Sequence, residues 1–186
     1  MHVGQVLFRV LVLQKEIRMS KNNYHKIGDA PLFHVILSTG IGTGFIPIAP
    51  GTAGALTALG IWYLLYLYLP SATLLVVTII LIIVTTLVGA WTSNVMEKYW
   101  GKDPRAVNID EFVGTWIPML VAPCSERTWI LAIFGFAMFR IIDIYKPLGC
   151  RAIDEKCPGG WGVMLDDVLA GFYALILTYC LKTIIS

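Results

Sequence analysis

The sequence predicts an all-α, polytopic integral membrane domain, and three observations carry that reading. Of 186 residues, 57% are hydrophobic and 14% are charged, where an ordinary soluble domain carries about 25% charged residues. Mean hydropathy is +0.73. The apolar runs approach the roughly 20 residues that a helix needs to cross the hydrocarbon core, with short polar connections between them. At that span length the chain has room for about four to five membrane-embedded helices plus an interfacial or re-entrant N-terminal helix. Residues 31–186 are expected to form one membrane-embedded domain, preceded by an N-terminal extension over 1–30.

Taken in order, residues 1–17 are apolar only in patches and contain Arg9, Lys15 and Glu16, with no small-residue cleavage site behind them. That excludes a convincing signal peptide and leaves an upstream extension or an interfacial amphipathic helix. Leu32 to Ile48 is apolar but broken by Gly40, Gly42, Gly44 and Pro47. Backbone so irregular must be buried in protein or wetted, which suits a re-entrant or surface helix followed by a loop. Gly54 to Leu69 and Ala72 to Ala90 read as two spans joined at Pro70-Ser71. Within the first, Trp62, Tyr63, Tyr66 and Tyr68 read as an interfacial aromatic belt. Phe112 to Ala122 is short for a span unless its helix begins near Asn108. Thr128 to Tyr145 follows across the compact stretch 123–127, so these two form an antiparallel hairpin. Leu165 to Ile185 is the last span.

Lysine and arginine concentrate before residue 30, between Lys98 and Arg105, and between Arg140 and Lys156, whereas the Pro70 turn has none. The positive-inside rule makes those three regions cytoplasmic and the C-terminus external. Asp110, Glu111, Asp143, Lys146, Asp166 and Asp167 then fall at helix ends on one side of the bilayer, where the Gly40 to Thr52 loop joins them. Ionisable groups at membrane depth are costly, so their default reading is a functional site.

For Asp110 and Glu111 the bland alternative is a carboxylate pair in a first helical turn, favoured by the helix dipole or by capping. Asp143 lies three residues after Arg140 and three before Lys146, so an Arg140–Asp143 ion pair and a snorkelling Lys146 are the plain readings there. Asp166 and Asp167 open the last span and point about 100° apart on a helix, so one can ligate an ion directly while the other works through water. Magnesium suits such a set, because it keeps several waters and takes only one or two carboxylates plus a substrate phosphate. With Arg140 and Lys146 the acids make a metal-plus-cation site for an anionic phosphate, and phosphoryl chemistry is the natural class. The Pro47 to Gly54 loop enters a helix, so the amides of Gly51 and Thr52 could receive a phosphate. A proline-glycine helix start is, however, more often a simple cap.

Other classes are excluded or weakened. A net charge of +2 with no run of five like charges argues against nucleic acid. Cys124, Cys150, Cys157 and Cys180 lack Cys-x-x-Cys spacing and partner histidines, so they read as packing residues and not as a metal-thiolate site. Gly40 to Gly44 has neither a preceding strand nor a Walker lysine, so it is no nucleotide loop. His2, His25 and His34 all precede the acidic region, which argues against a histidine-dependent lipid phosphatase, and no cysteine has an arginine six positions later. The rival reading from a different class is a small ion- or proton-coupled transporter or channel subunit, whose acids should reach mid-span.

Four motifs then stand in order. They are Pro-Ile-Ala-Pro-Gly-Thr-Ala-Gly at 47–54, Asp-Glu-Phe-Val-Gly at 110–114, Phe-Arg-Ile-Ile-Asp-Ile-Tyr-Lys-Pro at 139–147, and Gly-Gly-Trp-Gly-Val-Met-Leu-Asp-Asp-Val-Leu-Ala-Gly at 159–171. In order and spacing, residues 32–183 resemble the phosphatidylglycerophosphatase A family, and co-linear motifs are far more specific than any one alone. The resemblance implies a magnesium-dependent (Mg2+) phosphatase of the bacterial inner membrane, multi-pass, with its site facing the cytoplasm. It would remove the terminal phosphate of phosphatidylglycerol phosphate, in phosphatidylglycerol and hence cardiolipin synthesis. Carried over residue by residue, Asp110, Glu111, Arg140, Asp143, Lys146, Asp166 and Asp167 form the acidic and basic site. Asp143, Asp166 and Asp167 are assigned to magnesium, Asp110 or Glu111 to the metal or to general-base work, and Arg140 and Lys146 to phosphate oxygens. The implied partners are the phospholipid and the bilayer, with a homo-oligomer compatible, and acyl-chain selectivity is expected to be low. Ala55 departs from the family pattern, in which a serine is expected.

Overall fold

In the computed structural model, residues 30–102, 104–147, 149, 150, 153 and 157–185 are described, so the N-terminal extension expected over 1–30 lies almost wholly outside the described residues. The elements are α1 (Leu32–Ser38), a 3-10 turn at Thr43–Phe45, α2 (Pro50–Tyr68), α3 (Ser71–Trp100), α4 (Asp110–Met119), a second 3-10 turn at Ala122–Cys124, α5 (Thr128–Tyr145) and α6 (Gly160–Ile185). Among the described residues there is no strand.

α4 is the pillar. Every residue from Glu111 to Met119 is buried, and α2, α3, α5 and α6 all pack around it. The helix is short because Pro118 lacks an N–H and obstructs continuation of the ladder, so the chain leaves through the turn at Ala122–Cys124. Close approach is permitted by small residues. A Cβ at Gly114 would collide with the Phe139 ring of α5, and one at Gly171 of α6 would press on the Gly114 carbonyl. Small residues play this part in membrane helix pairs, where packing rather than water exclusion drives association. Indole N–H groups add directed links. Trp62 Nε1 donates to Thr78 Oγ1 at 3.0 Å, joining α2 to α3, and Trp116 Nε1 donates to the Ala58 carbonyl at 2.9 Å, joining α4 to α2.

The outward faces are apolar. Leu64, Ile80, Ile83, Leu87, Ile133 and Ile176 are all exposed, an extent of exposed apolar side chains that a water-soluble monomer rarely carries. Three helices are long and apolar enough to cross a membrane, namely α3, α5 and α6. The 19-residue α2, expected as a span, is not among them. α4, with ten residues, reaches only about 15 Å at 1.5 Å per residue.

Three further expectations change. α3 runs ten residues past Ala90 and stops at Trp100, where Gly101 adopts φ 89°. Trp62 is buried and stacked on Tyr66 instead of sitting in an interfacial belt, whereas Tyr63 and Tyr68 are exposed as such a belt requires. Of the cysteines expected to pack, Cys150 does so beside Phe139 and Ala170, Cys157 is half-buried, and Cys180 is exposed on the outer turns of α6.

Candidate active site

The N-terminus of α4, the last turns of α5 and the second turn of α6 meet at one end of the bundle. The acids of α6 are not at its mouth, as the sequence suggested. The helix begins at Gly160, whose N–H donates to Asn94 Oδ1 at 2.8 Å, so Asp166 and Asp167 lie nearly two turns inside. Asp166 and Asp167 are buried, 5% and 3% exposed, as is Glu111 at 7%.

Arg140 organises the cluster. Its Nη1 donates to Glu111 Oε2 in a very close contact and to Asp143 Oδ2 at 2.8 Å, and its Nη2 donates to Thr52 Oγ1 at 3.3 Å. The expected Arg140–Asp143 pair is therefore present, but it is one arm of a fork that also takes Glu111. Glu111 does not cap its own helix. Ile109 holds the N-cap position of α4 and no side chain caps it. Lys146 does not snorkel either. It ends α5 in the left-handed conformation, φ 44°, and its Nζ lies 2.6 Å from Asp166 Oδ2. A non-glycine residue at positive φ is strained, and here the strain aims a cation into the acid cluster.

Gly51 and Thr52 reach the site from the start of α2. Glu111 lies against the Cα of Gly51 so closely that a Cβ there would collide with Oε1. Sequence reasoning missed the residue that holds this loop. Asn108, 1% exposed, donates from Nδ2 to Thr43 Oγ1 and to the Pro50 carbonyl, both at 3.0 Å. The N–H groups of Asn108 and Ile109 donate to the Ser38 carbonyl at 2.9 and 3.2 Å. The glycine loop, the end of α1 and the start of α4 are thus one hydrogen-bonded unit. The available signal was an amide side chain two residues before a pair of acids in an apolar chain.

Asp110 and Asp167 complete the set. Asp167 lies within electrostatic reach of Asp110, Glu111, Asp143 and Asp166, so the five acids share one field. Burial raises the carboxyl of Asp110 well above its usual range, and the charge of Glu111 pushes the same way. Burial likewise lifts Glu111 to about 7, helped by Asp143 and opposed by Arg140. The Oδ1 atom of Asp110 is buried with no hydrogen-bond partner among the described residues.

The arrangement fits a divalent cation in its charge and donor chemistry. Five carboxylates face two cations, and an orphaned buried carboxylate oxygen requires either a proton or a cation. Among the described residues, no three acids, cysteines or histidines converge closely enough to hold a metal by themselves. Magnesium does not need three, since waters and a substrate phosphate commonly fill its shell.

Comparison with known proteins adds an independent line. The Phosphatidylglycerophosphatase A family profile matches residues 36–182. A protein of Bacteroides thetaiotaomicron, provisionally named a phosphatidylinositol-3-phosphatase, is 50% identical over 82% of this chain and 95% of its own length. Proteins named Phosphatidylglycerophosphatase A from Escherichia coli K12 and Haemophilus influenzae are 35% and 38% identical, over 77% and 88% of this chain and 80% and 98% of their own lengths. No solved structure matches.

Proposed function

The chain belongs to the Phosphatidylglycerophosphatase A family, and from that premise we propose that it hydrolyses phosphatidylglycerol phosphate to phosphatidylglycerol and inorganic phosphate, with magnesium, at the cytoplasmic interface of a bacterial inner membrane. It is a membrane protein and a phosphoric monoester hydrolase. The observation that carries the finer reading is the Arg140 fork, which brings Glu111, Asp143 and Thr52 to one point beside Lys146 and Asp166.

Each side chain has a proposed task. Arg140 and Lys146 bind the oxygens of the phosphate, Arg140 through its planar fork and Lys146 as a mobile point charge. The Gly51 and Thr52 amides at the start of α2 add N–H donors on the same side. Glu111 Oε1, facing Gly51, accepts a proton from the attacking water, and its lifted pKa of about 7 suits that transfer near neutral pH. The ion pairs engage Glu111, Asp143 and Asp166, so Asp110 and Asp167 are the foremost magnesium ligands, with Asp143, Asp166 and Glu111 completing the set as cations exchange for substrate. Bound there, magnesium would polarise the phosphoryl group and offset its charge.

The Bacteroides relative's name raises a second lipid, a phosphoinositide carrying its monoester on a ring. Both substrates present a phosphate monoester at the end of a glycerolipid headgroup. Phosphate release from phosphatidylglycerol phosphate and from phosphatidylinositol 3-phosphate, measured side by side in the same mixed micelles, separates them. The proposal expects kcat/KM to favour the glycerol substrate, and preference for the inositol lipid would replace it. A transporter reading has less support. Residues 50–69, 71–96, 128–139 and 168–181 contain no charged side chain, so the bundle offers no acid relay away from the site end.

A further inference from the structure

Below the site, the faces of α2 and α5 part. A groove of about 320 Å³ opens between them, lined by Leu56, Gly60 and Tyr63 on α2 and by Trp129, Ala132 and Ile133 on α5. That volume falls within the roughly 300–1,000 Å³ of ordinary ligand pockets. Its walls carry no charged residue. A Cβ on Gly60 would meet nothing within 4 Å, so the glycine does not serve helix packing.

The groove is in register with the phosphate-binding residues. On α2, Thr52, Leu56, Gly60 and Tyr63 follow helical i, i+4 and i+3 steps and share one face; on α5, Trp129, Ile133 and Arg140, four and then seven residues apart, also share one. Thr52 and Arg140 touch across these helices at the site end. At 1.5 Å per residue, Gly60 lies about 12 Å from Thr52 and Ile133 about 10 Å from Arg140, both deeper in the bundle. That offset is comparable to an extended glycerol-phosphate-glycerol headgroup between its terminal phosphate and its acyl esters. Leu56, one turn below Thr52, is half exposed, and so leaves the path between them open to lipid.

We propose that the α2–α5 groove is the acyl-chain subsite, holding one chain of the lipid whose phosphate monoester sits between Thr52 and Arg140. This rests on the phosphatase reading above and adds to it which helices receive the lipid body. Gly60 is then the specificity-determining position, since a side chain there occupies the chain's place without disturbing the bundle. The subsite selects acylated over deacylated substrate while tolerating different chains, because its walls are largely apolar and carry no charge.

The test has two arms. In the first, kcat/KM is compared for dioleoyl phosphatidylglycerol phosphate and for its deacylated headgroup, in wild type, Gly60→Leu and the control Ile80→Trp, whose site faces lipid on α3. Gly60→Leu should lower the preference for the acylated substrate about tenfold, the scale on which a hydrophobic pocket discriminates size, and Ile80→Trp should leave it in place. An unchanged preference, or an equal change in both variants, overturns the subsite. The second arm needs no turnover. A phosphatidylglycerol phosphate analogue with a photoreactive group in its acyl chain should label residues 56–63 and 129–133, less so in Gly60→Leu, with competition by unlabelled phosphatidylglycerol phosphate but not by phosphatidylcholine. Labelling spread evenly over the lipid-facing helices, or competed equally by both lipids, overturns it as ordinary bilayer contact. Absent phosphate release from either substrate by wild type would instead sink the phosphatase reading, leaving the labelling to decide the groove.

Discussion

Arg140 joins carboxylates from two helices, Glu111 on α4 and Asp143 on its own α5, and touches Thr52 on a third. Lysine at that position keeps the charge but loses the planar fork. Arg140→Lys should therefore lower phosphate release about a hundredfold or more, as when one positioned donor is lost from a transition state. An assay of wild type and variant at matched folded concentration checks this, and a near-normal rate would contradict the role. Glu111 gives a second handle. Its pKa of about 7 lies above the ordinary 4.5, so between those values the folded protein holds a proton that the unfolded chain has lost. Stability of the magnesium-free protein should fall as pH rises through that window and level off above it. Thermal melts in detergent across the window should show that slope, and Glu111→Gln should reduce it, the buried Asp110 contributing in the same direction; a slope of opposite sign would refute the assignment. At this scale the sequence was informative where partners are neighbours. The three-residue step made Arg140–Asp143 readable, but Glu111–Arg140 and Lys146–Asp166 join positions far apart in the chain, and no spacing rule reaches them. Asn108 was overlooked because its partners, Thr43 and the Pro50 carbonyl, are equally remote.

At the scale of elements, the short α4 is the part the apolar pattern described least well. Reading Phe112 to Ala122 as a doubtful span was sound in length, but periodicity could not reveal that the helix is enclosed by four others. Its enclosure depends on Gly114, against which the Phe139 ring packs. Gly114→Val should displace that ring and separate α4 from α5, at a cost of about 1–3 kcal/mol typical of overpacking. The expected result is a lower melting midpoint in detergent with reduced activity, because Glu111 and Arg140 ride on the two helices being separated. A variant as stable as wild type would show that the interface is looser than described. The start of α6 also escaped the sequence reading. A run of glycines before an apolar segment reads as loop, but the Asn94 side chain accepts from the Gly160 N–H and lets the helix begin there.

For the whole molecule, hydropathy and charge carried most of the architecture. The turn at Pro70-Ser71, the α4–α5 hairpin and the gathering of acids at one end all follow from apolar length and from where lysine and arginine concentrate. The count of spans is less legible, since three helices are long and apolar enough to cross and the 19-residue α2 is not among them. What the architecture achieves is a separation of tasks: lipid-facing helices without charge below, and a recessed cluster of five acids and two cations above. We propose that this cluster is a magnesium-dependent phosphatase site. The most direct test is inorganic phosphate release from phosphatidylglycerol phosphate by purified protein, with magnesium, with a chelator, and for Asp110→Asn and Asp167→Asn. Release should be abolished by the chelator and restored by magnesium, and each substitution should lower it by about two orders of magnitude or more, as expected for lost electrostatic stabilisation. Full activity in chelator, or in both variants, would contradict it.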